Sequence, residues 1–139
     1  MKETLEDLER RKSELYRRLG ELGDFRRGTI SANYRKCGKA YCACARAGHP
    51  GHGPQYLWNA TIKGKSRAQN LRLGRELEKA AREVENYRRL VEWWTQWIEV
   101  NEKICQKRPV RKMEEEELEE VKKKLKRKYT RKRSRRSDA

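Results

Sequence analysis

Cys37, Cys42, Cys44, His49 and His52 place five thiol and imidazole donors on one short stretch, spaced C-x4-C-x-C-x4-H-x2-H. Such donors at close spacing suit a single zinc ion, which takes four ligands tetrahedrally. Cys42 and Cys44 are two residues apart, so in an extended segment both side chains point the same way. Gly38, Gly48, Gly51 and Gly53 permit the turns that bring Cys37 and a histidine to the same centre. Five candidates compete for four positions. The expected set is Cys37, Cys42, Cys44 and His52, with His49 as the spare. Three thiolates and one imidazole close the shell, so the zinc would be structural. The competing readings are a redox-sensitive thiol cluster and inert cysteines. An enzyme is not expected. A catalytic zinc needs an open position and a nearby general base, and no carboxylate occurs between Phe25 and Arg75. The chain also has no Gly-rich phosphate loop and no Ser-His-Asp set.

The surroundings of these donors are strongly basic. Residues 25–75 carry 11 Lys and Arg and no Asp or Glu. A second basic block, 121–139, holds 11 basic residues and 1 acid, and the whole chain has a net charge of +16. Clustered Lys and Arg release counterions from phosphates, so a polyanion partner is implied, bound more weakly as salt rises. The candidate phosphate contacts are Arg26, Arg27, Arg35, Lys36, Lys39, Lys63, Lys65 and Arg67; the candidate rings for stacking on bases are Tyr34, Tyr41, Tyr56 and Trp58. The first 24 residues lack an apolar signal core, and no run approaches the ~20 apolar residues of a membrane span. A cytoplasmic setting, with nucleoid association as one version of it, is therefore expected. Thiols stay reduced there, and clustered cysteines act as metal ligands before disulfides.

The elements that must position these groups follow from periodicity. Residues 2–23 predict a helix, with Leu8, Leu15 and Leu22 at heptad position d and Leu5, Lys12 and Leu19 at a. Residues 55–73 predict a β-hairpin: Tyr56, Trp58, Ala60 and Ile62 alternate with polar neighbours, and Lys63-Gly64-Lys65 supplies the turn. Residues 76–107 predict one long helix. Its main stripe is Leu77, Val84, Val91, Ile98 and Cys105 with Ala80, Tyr87, Trp94 and Asn101; Leu90, Trp97 and Ile104 flank it, and Trp93 lies outside. Cys105 on that seam reads as a buried apolar residue. The stripe is wider than one helix partner covers. Pro109 stops this helix, Met113 to about Tyr129 predict another, and Arg131–Arg136 read as a disordered basic tail.

The expected fold is mainly α with a small β-hairpin. A zinc-stapled head sits between an N-terminal helix and a long C-terminal helix, the two forming a coiled-coil-like stalk. Four segments result: 1–24, a coiled-coil helix; 25–75, the basic zinc head; 76–108, the long amphipathic helix; 109–139, a charged helix and tail.

Arg27-Gly28-Thr29-Ile30, Tyr34 to Lys39, Cys42-Ala43-Cys44-Ala45 and His52-Gly53-Pro54 resemble a family of short uncharacterised bacterial and archaeal proteins. That family has an R-G-S/T-I start, a K-C-G-K-x-x-C-x-C-A core and H-G-P before an aromatic strand. The hairpin turn at Lys63-Gly64-Lys65 and the run Asn86 to Leu90 also look like it, so the resemblance covers about residues 27–104. Its histidine matches His52, and Gln55 stands where an aromatic is usual. The family is often multicopy and mobile-element-associated, with no settled activity to carry over. The N-terminal heptads and the basic tail lie outside the resemblance.

Residues and resemblance together imply an accessory or architectural nucleic-acid-binding protein, with DNA favoured over RNA because of the family's company. The helices would form a homo-oligomer or dock on a larger protein. The alternatives are an assembly subunit that works through the wide helix stripe, and an RNA-binding component of a ribonucleoprotein.

Overall fold

The computed structural model of the chain describes residues 2–130. Residues up to Lys107 form one compact unit and those from Arg108 a second. The first holds helix α1 (Leu5–Glu21), strands β1 (Thr29–Arg35), β2 (His52–Ile62) and β3 (Lys65–Leu71), and helix α2 (Arg75–Lys107). A short 3-10 turn, Ala43–Ala45, lies between β1 and β2. The second unit holds helix α3 (Glu115–Tyr129), opened by a reciprocal Glu114–Glu117 cap and without a buried residue. The expected basic tail at Arg131–Arg136 lies outside the described residues.

Helix α1 starts where the Thr4 hydroxyl accepts from the Asp7 amide (3.2 Å) and Asp7 accepts from the Thr4 amide (3.1 Å), a capping box. It runs antiparallel to α2. Lys103 reaches Glu3 (3.5 Å) at one end, and Tyr16 meets the Trp97 ring (6.1 Å) further along. Leu8 and Leu15 are buried against Val100 and Ile104, with Leu5, Trp93 and Trp97 packed around them. The covered stripe on α2 is therefore 93, 97, 100 and 104, a helical repeat one face away from the expected one. Trp93 belongs to this core and not outside it. The first half of the expected seam is covered, with Ala80 buried and Leu77, Val84 and Tyr87 half-buried. Its second half points to solvent: Val91, Trp94 and Ile98 are 46%, 49% and 42% exposed, and Cys105 is exposed too. Both faces of α2 are apolar, and α1 covers only one.

The head contains a three-stranded antiparallel sheet in the order β1-β2-β3, not the expected hairpin alone. β1 alternates Ile30, Ala32 and Tyr34 with Thr29, Ser31, Asn33 and Arg35, a period of two on a segment not expected to be a strand. β2 begins at His52, three residues before the expected start, and Lys63 (φ 51°) and Gly64 (φ 75°) form the tight turn to β3. Gly28 lets β1 enter beside β2, since a Cβ there would sit 2.4 Å from the Asn59 carbonyl.

Register divides the sheet into two unlike faces. Ile30, Tyr56, Trp58, Ala60, Ile62 and Leu71 share one, together with Gln69, Arg67 and Lys65 of β3. Thr29, Ser31 and Asn33, then Gln55, Leu57, Asn59 and Thr61, then Ser66, Ala68 and Asn70, share the other. That second face holds no charged side chain.

Sheet and helix meet at Glu83, the one buried charged residue among those described. It accepts from Arg26 (2.9 Å) and Lys79 (2.8 Å). The Arg26 guanidinium also lies over the Trp58 ring (5.2 Å), whose Nε1 donates to the Arg27 carbonyl (2.8 Å). Asn86 Nδ2 donates to the Asp24 carbonyl (2.9 Å), and Phe25 packs near Tyr87 (6.4 Å).

Two outcomes are expected. Leu8 is fully buried, so Leu8→Ala lowers stability by about 2–5 kcal/mol in denaturant unfolding. Lys79, then Arg26, hold the Glu83 pKa below its ordinary value against the opposing effect of burial. Stability from that carboxylate is complete above the unfolded value and lost as pH falls through the folded one. Glu83→Gln therefore destabilises the protein at neutral pH, by about 1–2 kcal/mol given the exposure of Lys79, and flattens the acid limb of stability against pH.

Candidate metal centre

The donor atoms of Cys37, Cys42, Cys44 and His52 all lie within 4.8 Å of one another. Strand pairing creates half of this arrangement. Arg35 at the end of β1 faces His52 at the start of β2, and Cys37 follows two residues later. The register shifts between Asn33 and Arg35, which turns the chain toward the cluster. Gly51 is buried against this pair, and a Cβ there would lie 2.7 Å from the Arg35 carbonyl carbon. No other residue fits without moving β1.

The 3-10 turn supplies the other half. The Cys42 amide donates to the Lys39 carbonyl (3.1 Å) and the Ala45 amide to the Cys42 carbonyl (3.0 Å). Cys42 and Cys44 thus sit on a tight turn and not in the extended segment expected for them. Cys44 is buried at 1% exposure, Cys42 is half-buried, and Cys37 and His52 are at the surface.

Cys37 Sγ is 3.5 Å from Cys44 Sγ, and Cys42 Sγ is 3.2 Å from His52 Nε2. Ligands at about 2.0–2.3 Å from a tetrahedral zinc stand ~3.5–3.8 Å apart, so these separations suit one ion. His49 is engaged elsewhere, its Nδ1 accepting from the Gly51 amide (3.0 Å). The Lys39 amide, and then the Cys44 thiol, favour the Cys37 thiolate and lower its pKa. Cys44 moves the opposite way. The Cys37 amide favours its thiolate, but burial and the sulfurs of Cys37 and Cys42 outweigh that and raise the pKa. Crowded sulfurs resist joint ionisation, and a bound cation is the group that allows it.

The basic candidates separate into groups. Arg26 is committed to Glu83 and Trp58. Arg35, Lys36 and Lys39 lie exposed on and just after the end of β1, beside the cluster. Lys63 marks the hairpin turn; Lys65 and Arg67 are exposed on β3, and Arg27 is exposed ahead of β1. Among the rings, Tyr34 (52%) and Tyr41 (86%) are exposed, with Lys39 Nζ 5.9 Å from the Tyr41 ring centre. Tyr56 and Trp58 are half-buried on the apolar face.

Sequence reasoning passed over Glu83 and the uncharged sheet face. Glu83 had one signal: an acid on the helix beside an acid-free head. The face was implicit in the expected hairpin, whose polar positions alternate with Tyr56, Trp58, Ala60 and Ile62, and pairing with β1 completes it.

A small antiparallel sheet with a Cys3His cluster, braced on a pair of antiparallel helices, is the class of structure seen here. Residues 5–83 match the family described as Domain of unknown function (DUF6788), and the chain belongs to that family. No curated protein and no solved structure matches the chain. Among the described residues, no helix is long and apolar enough to cross a membrane.

Loss of a ligand is expected to act locally. Cys42→Ser weakens metal affinity by at least about a hundredfold. It loosens the sheet while α1 and α2 keep their helical signal. Metal content by mass spectrometry under native conditions, with circular dichroism, measures both; an unaltered melting curve with and without chelator would contradict it.

Proposed function

We propose that this chain is a zinc-containing nucleic-acid-binding protein that serves as an accessory or architectural factor, with DNA as the favoured partner. The observation that carries this reading is the acid-free head, with 11 Lys and Arg and no carboxylate over residues 25–75. The cluster of Cys37, Cys42, Cys44 and His52 holds Zn2+ structurally and fixes the loop bearing Lys36 and Lys39. Arg27, Arg35, Lys36, Lys39, Lys63, Lys65 and Arg67 grip phosphates, while Arg26 braces the head on Glu83. Phosphate contact positions a protein without reading sequence. The chemistry is binding, not turnover: a closed Cys3His shell leaves no ligand position for water. A cytoplasmic, nucleoid-associated setting and a mobile-element context accord with such a factor.

A second reading rests on the apolar stripe of α2 that α1 leaves bare. Val91, Trp94 and Ile98 suit an assembly surface and would extend the helix pair into a coiled-coil-like stalk. A second copy fits it. With Trp94 of each copy against Ile98 of the other, antiparallel, Arg88 of each copy falls beside Glu102 of the other. Trp94→Lys is then expected to turn an oligomer into a monomer in sedimentation at unchanged helicity.

Binding of residues 1–108 and of the full chain to duplex DNA, single-stranded DNA and structured RNA, across a salt series and with zinc removed, tests the first reading. Salt-steep, zinc-dependent binding is expected. Lys36→Ala with Lys39→Ala lowers the salt slope by about two and weakens all sequences alike. Failure of the shorter chain to bind any of them at low salt would leave only the helices as the functional surface.

A further inference from the structure

The uncharged face of the sheet lies inside the most basic stretch of the chain. Lys and Arg are abundant there, yet they occupy the hairpin turn, the strand ends and the opposite face. What faces outward is amide and hydroxyl: Ser31 and Asn33 on β1, Gln55 and Asn59 on β2, Asn70 on β3. Asparagine is disfavoured in strands, and although an open antiparallel face is expected to be polar, this one draws on none of the Lys and Arg around it. Three asparagines on neighbouring strands therefore call for a reason other than folding.

Their hydrogen bonds point to one. Asn59 Nδ2 and Asn33 Nδ2 both donate to Ser31 Oγ (2.9 and 3.3 Å), and Gln55 Nε2 donates to Asn70 Oδ1 (3.0 Å). One amide atom of each side chain is tied across or along the strands, which fixes the rotamer. The other atom has no partner among the described residues. The face thus presents oriented acceptors from Asn33, Asn59 and Gln55 and a donor from Asn70. Leu57 lies between them as an apolar spot.

We propose that this face reads base edges in the major groove of duplex DNA, so that the protein prefers a particular sequence. The inference rests on the nucleic-acid-binding reading above and names its ligand. Major-groove edges display donors, acceptors and the thymine methyl group, which amides, hydroxyls and small apolar side chains recognise. The groove, ~12 Å wide, admits a two-stranded ribbon, so with strands ~4.8 Å apart β2 and one neighbour enter it while the third strand lies at its rim. Sheets are known to enter that groove. Lys65 and Arg67 on the edge strand β3, and Arg35 and Lys36 at and just after the end of the edge strand β1, flank the face on the two sides where the phosphate walls would run. Single strands are the poorer match because stacking needs rings. The face has none: Tyr56 and Trp58 lie on the other side, and Arg26 covers the Trp58 ring.

The test is selection by the full zinc-loaded chain from duplex DNA with a randomised centre, followed by affinity measurements near physiological salt. The expected result is an enriched sequence bound at least about tenfold tighter than a scrambled duplex. Asn33→Ala and Asn70→Ala, both at exposed positions, each reduce that ratio by about five- to a hundredfold, leaving scrambled-duplex binding and its salt slope in place. Replacing adenine by 7-deazaadenine in the enriched site removes a major-groove acceptor without touching the protein, and it also reduces the ratio. Salt-steep binding with no enriched sequence would overturn this inference while leaving the proposed function standing. So would a preference that survives both variants and the base analogue, or tighter binding to single strands or RNA than to any duplex. Absence of binding to every nucleic acid would overturn both.

Discussion

A head without carboxylates cannot neutralise its own arginines, and that constraint shapes how the molecule is joined. Glu83 on α2 supplies the missing anion. It draws in Arg26, which covers Trp58, which in turn ties its indole to the backbone at Arg27. One buried carboxylate thereby connects the start of β1, the middle of β2 and the first half of α2. Two charges converge on Glu83, from Arg26 and Lys79, so its burial is compensated. Among the described residues, no other basic side chain of residues 25–75 forms an ion pair with an acid. The strongly positive surface is the other side of the same arrangement.

A second shortage explains the metal cluster. Between Phe25 and Arg75, Cys44, Ala60 and Leu71 are the only buried side chains of the core. That is too little apolar area to order some fifty residues against their conformational entropy. The loop from Lys36 to Gly51 has neither strand nor α-helix and pairs with nothing but itself and the ends of β1 and β2. Convergence of three sulfurs and an imidazole gives this loop a cluster of another kind, in which coordination of a metal ion would replace packing. Cys44, buried and at the centre of the turn, does the work that a leucine does between α1 and α2.

Much of this was legible in the residues, for identifiable reasons. Donor types at short spacing announce themselves whatever the fold, so the grouping of Cys37, Cys42, Cys44 and His52 could be read directly. So could the long helix, because a 3.6-residue repeat over thirty positions survives local noise. Its orientation could not. Val91, Trp94 and Ile98 make as good a stripe as Trp93, Trp97, Val100 and Ile104, and periodicity does not say which one a partner covers. The choice is made by α1, whose Leu8 and Leu15 and the Glu3–Lys103 contact fix both face and register. β1 was legible in principle, since Ile30, Ala32 and Tyr34 alternate with polar residues, but only one of the three is aliphatic and large, and its pairing with β2 is what adds Ser31 and Asn33 to the uncharged face.

That additional strand changes what the basic residues mean. While the head was a hairpin, its lysines and arginines looked like the recognition surface itself. Paired in three strands, the chain sorts most of its polar groups by kind: cations to the turn, the strand ends, the loop and the Trp58 face, and neutral amides other than Gln69 to the face opposite. The two kinds do different physics. Cations act over a Debye length and treat every phosphate alike, whereas an amide acts only at contact distance and distinguishes one hydrogen-bonding edge from another. On the proposed reading, sorting them this way would keep long-range attraction from blurring short-range choice. The cross-strand bonds among Ser31, Asn33, Asn59, Gln55 and Asn70 add the remaining requirement, since an amide discriminates only when its orientation is set before the ligand arrives. The rigidity comes from the sheet, the sheet is held by Glu83 and the sulfur cluster, and both of those exist because the head has almost no apolar core and no acid of its own.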